Sequence, residues 1–286
     1  MAINLSKVSF AYGNFKKKTT PRYILKNIDL QIDGKDEFIM LLGESGAGKS
    51  TLVQLLNALL LATNGDVSVF DQNISKAKNI KLKNVRKKVG LVFQFPEYQL
   101  FDETVFKDVC FGPKNFGIAD YEAKAKEALE VVGVSPELFE RNPYMLSGGQ
   151  MRKVAIAGIL ASNPDILVFD EPTVGLDPLG KKDLLELLKK LNTEHHKTII
   201  LITHDMDVVG EVGKRIVVLK QGKVAYDGCK DELFKNDNLM NEYCLDYPNT
   251  IKILKAIKKE FNVDLNELQY SIEDVYTELE RVFGNE

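Results

Sequence analysis

A glycine-rich loop between a short apolar run and a helical segment constrains this chain more than any other feature. Residues 38–42 read Phe-Ile-Met-Leu-Leu, which is typical of a strand buried on both faces. The loop that follows reads Gly43-Glu44-Ser45-Gly46-Ala47-Gly48-Lys49-Ser50-Thr51, and a helix is expected from Lys49 to about Leu61. Glycines let successive backbone N–H groups point at phosphate oxygens, and the helix N-terminus adds partial positive charge. The pattern therefore predicts an α/β fold with a P-loop that binds a nucleotide.

Two side chains of this loop have individual tasks. Lys49 is expected to reach the β- and γ-phosphates, and the Ser50 hydroxyl is expected to hold Mg²⁺. The candidate nucleotide-binding residues of the loop are Gly43, Ser45, Gly46, Ala47, Gly48, Lys49, Ser50 and Thr51.

Further strands and helices are predicted on both sides of the loop. Strands are expected at residues 3–10, 24–32, 90–93, 166–169 and 198–202, and helical spacing of leucines marks residues 184–191. Residues 95–160 are expected to be mainly helical, with breaks at Pro113, Gly133, Pro136 and Pro143. Alternation of strands and helices predicts a parallel sheet with right-handed crossovers.

Two acidic residues follow the apolar run Ile166–Phe169. A strand that ends this way delivers both carboxylates to the carboxyl edge of the sheet, where ligands of α/β proteins bind. Asp170 suits the Mg²⁺ shell, and Glu171 is placed to polarise a water for in-line attack on the γ-phosphate. Acidic residues at strand ends are common, so this pair alone would not identify a site.

The run Leu146-Ser147-Gly148-Gly149-Gln150 precedes a second helical stretch, residues 151–161. It forms another helix N-terminus suited to an anion, although one nucleotide needs only one such cradle. Here the chain resembles the ABC ATPase family, whose signature motif is LSGGQ. The resemblance implies that Ser147, Gly148, Gly149 and Gln150 of one subunit cover an ATP held by the P-loop of another, with ATP and Mg²⁺ as ligands.

The same resemblance, which covers roughly residues 2–235, implies roles for four more residues. Tyr12 would stack on adenine, and Gln94 would contact Mg²⁺ or the attacking water. Asp177 would belong to the D-loop that communicates across the dimer, and His204 would contact the γ-phosphate. One departure is that residues 151–153 read Met-Arg-Lys where many relatives have a residue followed by Gln-Arg.

Residues 93–105, with the core Pro-Glu-Tyr-Gln-Leu-Phe, resemble the ATPase components of energy-coupling factor (ECF) transporters, as do residues 111–117. The Thr20-Pro21 insertion and the run after the signature resemble the second A-type subunit. The resemblance implies a prokaryotic importer of vitamins or other micronutrients. Its partners would be a paralogous ATPase, a transmembrane coupling protein and, indirectly, a substrate-binding membrane subunit, with this chain peripheral at the cytoplasmic face. Glu97, Asp102 and Glu103 could supply carboxylates to arginines of the coupling protein.

Two alternative functions stay open: a cobalt or nickel importer whose ATPase forms a homodimer, and a soluble ABC ATPase outside transport. The net charge of −3 argues against nucleic-acid binding. The lysine-rich residues 76–88 are interpreted as a solvated face. Three scattered cysteines suggest neither a disulfide framework nor a zinc site, and neither a signal peptide nor a membrane span is expected.

The fold class expected is α/β: a RecA-like P-loop NTPase core with an antiparallel β subdomain and a helical signature subdomain at about 95–160. Residues 1–235 would form this ATPase domain and residues 236–286 a small helical extension. In the extension, Asp264 and Glu267 resemble a capping box before an amphipathic helix. The extension would either cover its own domain or contribute to dimerisation.

Overall fold

The computed structural model describes residues 1–13, 21–75 and 82–284. Thr20 and residues 76–81, on which two of the expectations above fall, lie outside these ranges. The strands in the described residues are β1 (Ile3–Phe10), β2 (Leu25–Ile32), β3 (Phe38–Leu42), β4 (Asn64–Val69), β5 (Gln72–Asn73), β6 (Val89–Val92), β7 (Ile166–Asp170), β8 (Thr198–Ile202), β9 (Arg215–Lys220) and β10 (Lys223–Cys229).

The central sheet has the order β10-β9-β3-β8-β7-β6 within the described part of the chain. All its neighbours are parallel except β9 and β10, so the carboxyl ends of β3, β7 and β8 meet at one edge. Alternate side chains of β3 enter different hydrophobic clusters: Phe38 and Met40 one, Ile39 and Leu41 the other. Burial on both faces explains why this strand reads as a continuous apolar run.

A second, antiparallel sheet has the order β2-β1-β4-β5. Its buried residues, such as Ile3, Leu5 and Val67, share a cluster with Ile39 and Leu41 of the central sheet. The expected α/β class with an antiparallel β subdomain is confirmed. Strands β4, β5, β9 and β10 were not predicted from the sequence. Strands β4 and β5 are short and polar at their exposed positions, which makes them difficult to recognise.

The helices of the described residues are α1 (Lys49–Leu56), α2 (Leu82–Lys88), α3 (Val105–Phe116), α4 (Tyr121–Val131), α5 (Gly148–Leu160), α6 (Pro178–Thr193), α7 (Met206–Val212), α8 (Lys230–Lys235), α9 (Asp237–Glu242), α10 (Asn249–Phe261) and α11 (Ile272–Phe283). None of them combines the length and the apolar character that a membrane span needs.

Two predicted helix boundaries are wrong. Helix α1 ends at Leu56 rather than near Leu61, because Asn57 caps it and Ala58 takes a left-handed conformation with φ 57°. Pro113 does not interrupt the helix: it lies inside α3, buried in the last turn. The helix ends only at Gly117, whose φ of 75° suits glycine.

The segment after β10 is helical, as expected, but its proposed capping box is wrong. Residues 263–270 form no helix, and α11 is capped by Ser271, whose hydroxyl accepts from the backbone N–H of Asp274. The backbone N–H of Asn249, at the start of α10, donates to Asp207 of α7 at 2.6 Å, and Ile251 joins the larger hydrophobic cluster. This segment therefore shares packing with the central domain.

Candidate active site

The glycine-rich loop connects β3 to α1 and packs too closely for side chains at two of its glycines. A Cβ at Gly43 (φ 136°) would lie 2.1 Å from the carbonyl oxygen of Leu219. A Cβ at Gly48 (φ 105°) would lie 2.7 Å from Leu25 Cδ2. Positive φ and close contact together require glycine at both positions. Among the residues that the structure describes, nothing lies within 4 Å of a Cβ at Gly46, so this side of the loop is open to a ligand.

Lys49 is the first residue of α1, and its side chain turns back into the loop. Its ammonium donates to the carbonyl oxygens of Gly43 (2.7 Å) and Glu44 (3.1 Å), and it lies 3.4 Å from His204 Nε2. Burial lowers the pKa of Lys49, and the carboxylates of Glu171 and Asp170 partly oppose that shift. The site thus concentrates a cation and two anions at the carboxyl edge of the sheet.

A cleft of about 610 Å³ lies beside this loop. Residues from six separate segments converge on it, because the carboxyl ends of β3, β6, β7 and β8 all point to this edge. The cleft is lined by Tyr12, Ile24, Ser45, Gly46, Gly48, Lys49, Ser50, Thr51, Gln94, Asp170, Glu171, Val174, Ile202 and His204.

Glu171 immediately follows β7 and has a left-handed backbone (φ 51°) held by its N–H donating to Ile202 O at 3.0 Å. Burial, and next the neighbouring Asp170, raise the pKa of its carboxyl. Its Oε1 lies 3.3 Å from His204 Nε2 but forms no hydrogen bond with the described residues. A buried carboxylate oxygen with a raised pKa and no donor is chemically suited to accept a proton from a water.

His204 follows β8 and is about half exposed toward the cleft. Burial of the ring, followed by the charge of Lys49, lowers its pKa. The imidazole is therefore neutral at neutral pH, and one ring nitrogen is free to donate a hydrogen bond.

The predicted magnesium ligands share this cleft. Ser50, Gln94 and Asp170 offer a hydroxyl, an amide and a carboxylate, and oxygen donors of this kind match the preference of Mg²⁺. The donor set therefore fits the ion.

Tyr12 lies at the rim of the cleft with its side chain largely exposed. Its ring packs edge-on against Phe10, with centroids 4.8 Å apart, and its hydroxyl lies 3.2 Å from Thr51 Oγ1. The side chain is 57% exposed beside the cleft, which makes the ring accessible to a planar ligand such as adenine.

Three of the four predicted signature residues, Ser147, Gly149 and Gln150, line a second cleft of about 660 Å³. The lining residues given for the two clefts have none in common. Ser147 caps α5, and Gln150 completes the capping box: its Oε1 accepts from the N–H of Ser147 at 3.0 Å. Asp177 similarly caps α6 by accepting from the N–H of Gly180 at 2.8 Å. Nothing lies within 4 Å of a Cβ at Gly148 or Gly149, so packing within the described chain does not require glycine there.

One residue of the region was missed by the sequence reasoning. Arg152, one turn into α5, is buried and pairs through two hydrogen bonds with Glu97, which lies in the 3₁₀ turn Pro96–Gln99. The available signal was its position four residues before the buried Ile156, which places a charge on the apolar face of a helix.

Of the three carboxylates expected to meet arginines of a coupling protein, Glu97, Asp102 and Glu103, the structure removes Glu97. Burial alone would raise the pKa of Glu97, but the hydrogen bonds and charge of Arg152 outweigh it and lower that pKa, so Glu97 is an ionised partner inside the protein. Glu103 is exposed and pairs with Lys107 at 2.6 Å. Asp102 accepts from the N–H of Glu103. Asp102 and Glu103 remain candidates for contacts with another protein, and Glu97 does not.

Exposed apolar side chains occur in the same region, beginning with Phe101, the residue before Asp102. Phe101 packs edge-on against Phe111 with centroids 4.8 Å apart, and the Tyr144 hydroxyl donates to Leu100 O at 2.6 Å. Five side chains of this region, which we call the aromatic patch, are half or more exposed: Tyr98, Phe101, Phe111, Tyr144 and Met145. Exposed apolar patches of this kind are typical of interaction surfaces.

Comparison with known proteins gives a consistent result. The sequence model of the ABC transporter family matches residues 25–174. The chain is 44% identical over 285 residues to the energy-coupling factor transporter ATP-binding protein EcfA2 of Bacillus cereus, covering 99% of this chain and 96% of that protein. Its identity to the protein of the same name from Bacillus subtilis is 44% over 271 residues, covering 93% and 98%.

Solved structures agree. CbiO1 from Clostridium perfringens, part of the ABC transporter complex CbiONQ, matches with a TM-score of 0.73 and 30% identity over 92% of this chain and 99% of that one. A dimeric ATP-binding cassette bound to ADP and Pi matches with a TM-score of 0.68 and 32% identity, covering 79% and 98%.

Proposed function

This chain belongs to the ABC transporter family, among the energy-coupling factor transporter ATP-binding proteins, and on that premise we propose that it is the ATP-hydrolysing subunit of an ECF importer. One observation carries the proposal. The candidate catalytic residues Gln94, Glu171 and His204 line one cleft, whereas three of the four signature residues line another. A single chain thus offers two incomplete halves of a nucleotide site, which a second ATPase subunit would complete.

Hydrolysis would proceed by in-line attack of a water on the γ-phosphorus of ATP. Glu171 accepts the water proton as the new P–O bond forms, and the bond to the β–γ bridging oxygen breaks to release ADP. Lys49 stabilises the charge on the transferring phosphoryl group, and neutral His204 donates a hydrogen bond to it. Gln94 orients the water. Ser50 and Asp170 would hold Mg²⁺, which would supply positive charge to offset that of the phosphates.

The signature segment would act in trans. Ser147, Gly148 and Gly149 would present the N-terminus of α5 to the γ-phosphate bound by the partner, and the unobstructed glycines support this role. In this arrangement Gln150 acts through its capping box and Asp177 through its cap on α6.

The partners proposed are a paralogous ATPase and a transmembrane coupling protein, with a substrate-binding membrane subunit joined indirectly. The aromatic patch, together with Asp102 and Glu103, is proposed as the surface that receives the coupling protein. The chain would then lie peripherally on the cytoplasmic face of a prokaryotic membrane. Residues 1–235 would form the ATPase domain and residues 236–286 the extension.

A cobalt or nickel importer with two identical ATPases is the second candidate, and the similarity to CbiO1 favours it. Identity is higher to the ECF proteins, at 44% against 30%, so the paralogous pair is preferred. Affinity purification of the tagged chain in detergent separates the two: a different ATPase should co-purify in equal amount in the first case and none in the second.

The change Glu171→Gln tests the chemistry. It removes the proton acceptor while keeping shape, so ATP should bind but not turn over, and an ATP-bound dimer should accumulate. Size-exclusion chromatography with ATP and a phosphate-release assay measure both effects. Glu122→Gln, on an exposed face of α4 outside the cleft, is the matched control and should behave as wild type. Undiminished phosphate release by Glu171→Gln would show that another group is the base.

A further inference from the structure

The side chain of Arg152 joins its own helix, α5, to two other segments of the chain: the turn that contains Glu97 and residues 172–174. It is 7% exposed, and its partner Glu97 is 12% exposed. Nε donates to Glu97 Oε2 at 3.1 Å, and Nη2 donates to Oε1 at 2.8 Å, which is the two-pronged geometry of a guanidinium–carboxylate pair.

The remaining terminal nitrogen of the guanidinium contacts backbone on the other side. Nη1 donates to the carbonyl oxygens of Pro172 and Val174, both at 3.0 Å. Four of the five N–H groups of Arg152 are therefore used, and the guanidinium also lies 6.0 Å from the Phe95 ring centre.

These contacts connect the segments that carry Gln94, Glu171 and the signature glycines, whose relative positions matter for ATP hydrolysis. Glu97 is three residues after Gln94, and Pro172 immediately follows Glu171. Arg152 itself lies on α5, one turn from the signature glycines. The guanidinium belongs to α5 and donates hydrogen bonds to the other two segments, so displacement of α5 must either move those segments or break the network.

We infer that the Glu97–Arg152 pair is a positioning device that sets Gln94 and Glu171 relative to the signature helix. Arg152 lines the second cleft, but its hydrogen bonds go to Glu97 and to the backbone of Pro172 and Val174. Both residues therefore act by holding the segments that contact substrate. The inference rests on the proposed ATPase function. It adds that the Glu97–Arg152 pair fixes the two clefts of one chain relative to each other.

The residue types are specific to this task. A lysine at position 152 would keep the charge, but it has no planar fork and cannot bind one carboxylate and two carbonyl groups together. A glutamine at position 97 would keep the shape but would leave the buried guanidinium without a counter-charge.

The test uses the full-length chain in the complex with which it co-purifies. Arg152→Lys and Glu97→Gln are each expected to lower kcat for ATP hydrolysis by about 10- to 100-fold, because small misplacements of catalytic groups cost that much. KM for ATP should change less than about twofold, since the P-loop is untouched. Glu97→Asp, which retains the carboxylate, should recover part of kcat relative to Glu97→Gln.

Arg215→Lys is the matched control. Arg215 also forms a two-pronged pair, with Asp227, and a further bond to Glu37, but lies outside both clefts. It should lower the unfolding temperature while leaving kcat unchanged.

The outcomes separate two failures. If Arg152→Lys and Glu97→Gln lower the unfolding temperature as Arg215→Lys does but keep wild-type kcat, the pair is structural and the inference is overturned. If one of these variants does not fold, Glu97→Asp is used instead. A kcat below that of wild type supports the inference, and a wild-type kcat overturns it. A wild-type complex that does not hydrolyse ATP overturns the proposed function itself.

Discussion

Replacement of Gly149 by alanine separates packing within the chain from contact with a second molecule. Gly149 is the second residue of α5, and outside its own turn of helix no atom of the described residues lies within 4 Å of the position its Cβ would take. Its φ is not in the left-handed region, so alanine adopts the same backbone. Packing among the residues that the structure describes therefore does not oppose the substitution.

The expected effects on stability and activity have opposite signs. Alanine is favoured over glycine in a helix by about 0.5–1 kcal/mol, so the free energy of unfolding should stay the same or rise by that amount. In the proposed dimer the methyl group would occupy space needed by the partner's γ-phosphate. A displacement of about 1 Å there should lower the hydrolysis rate about 100-fold.

Urea unfolding followed by circular dichroism measures the first effect, and phosphate release by the assembled complex measures the second. Gly43→Ala is the contrasting control, because its Cβ would meet Leu219 O at 2.1 Å and should destabilise the chain itself. A Gly149→Ala protein that hydrolyses ATP at the wild-type rate would refute the reasoning that a second molecule approaches this glycine.

Two other predictions concern the cleft rim and the last helix. Tyr12→Ala should weaken binding of a fluorescent ATP analogue about tenfold, because it removes the stacking face, whereas Tyr12→Phe should bind the analogue as wild type does. Equal affinities of Tyr12→Ala and the wild-type protein would exclude stacking. Hydrogen bonds from Arg281 and then the N–H of Asn266 lower the pKa of Glu278 from 4.5 to about 2. The ionised carboxylate therefore stabilises the fold above pH 4.5, and this contribution is lost as the pH falls toward 2. Glu278→Gln should flatten the pH dependence of the unfolding temperature in that window; parallel curves for the two proteins would contradict it.

Several features could be predicted from sequence because local physics determines them. The apolar run 38–42, the loop glycines and the start of α1 at Lys49 form one continuous pattern, and strands β1 and β8 have their predicted bounds. Helix ends were less predictable. Ser271 rather than Asp264 caps α11, since several residues nearby have capping side chains and packing selects among them.

The sequence by itself determined which residue types would handle phosphate, and in which order along the chain they would come. Only the tertiary structure decided that these residues separate into two clefts and that Arg152 joins Glu97, 55 residues away. No local periodicity encodes a contact between segments so distant in the chain. The pairing arises when α5 packs against the 3₁₀ turn after Gln94, because a buried guanidinium must then find acceptors among whatever segments the fold brings to it.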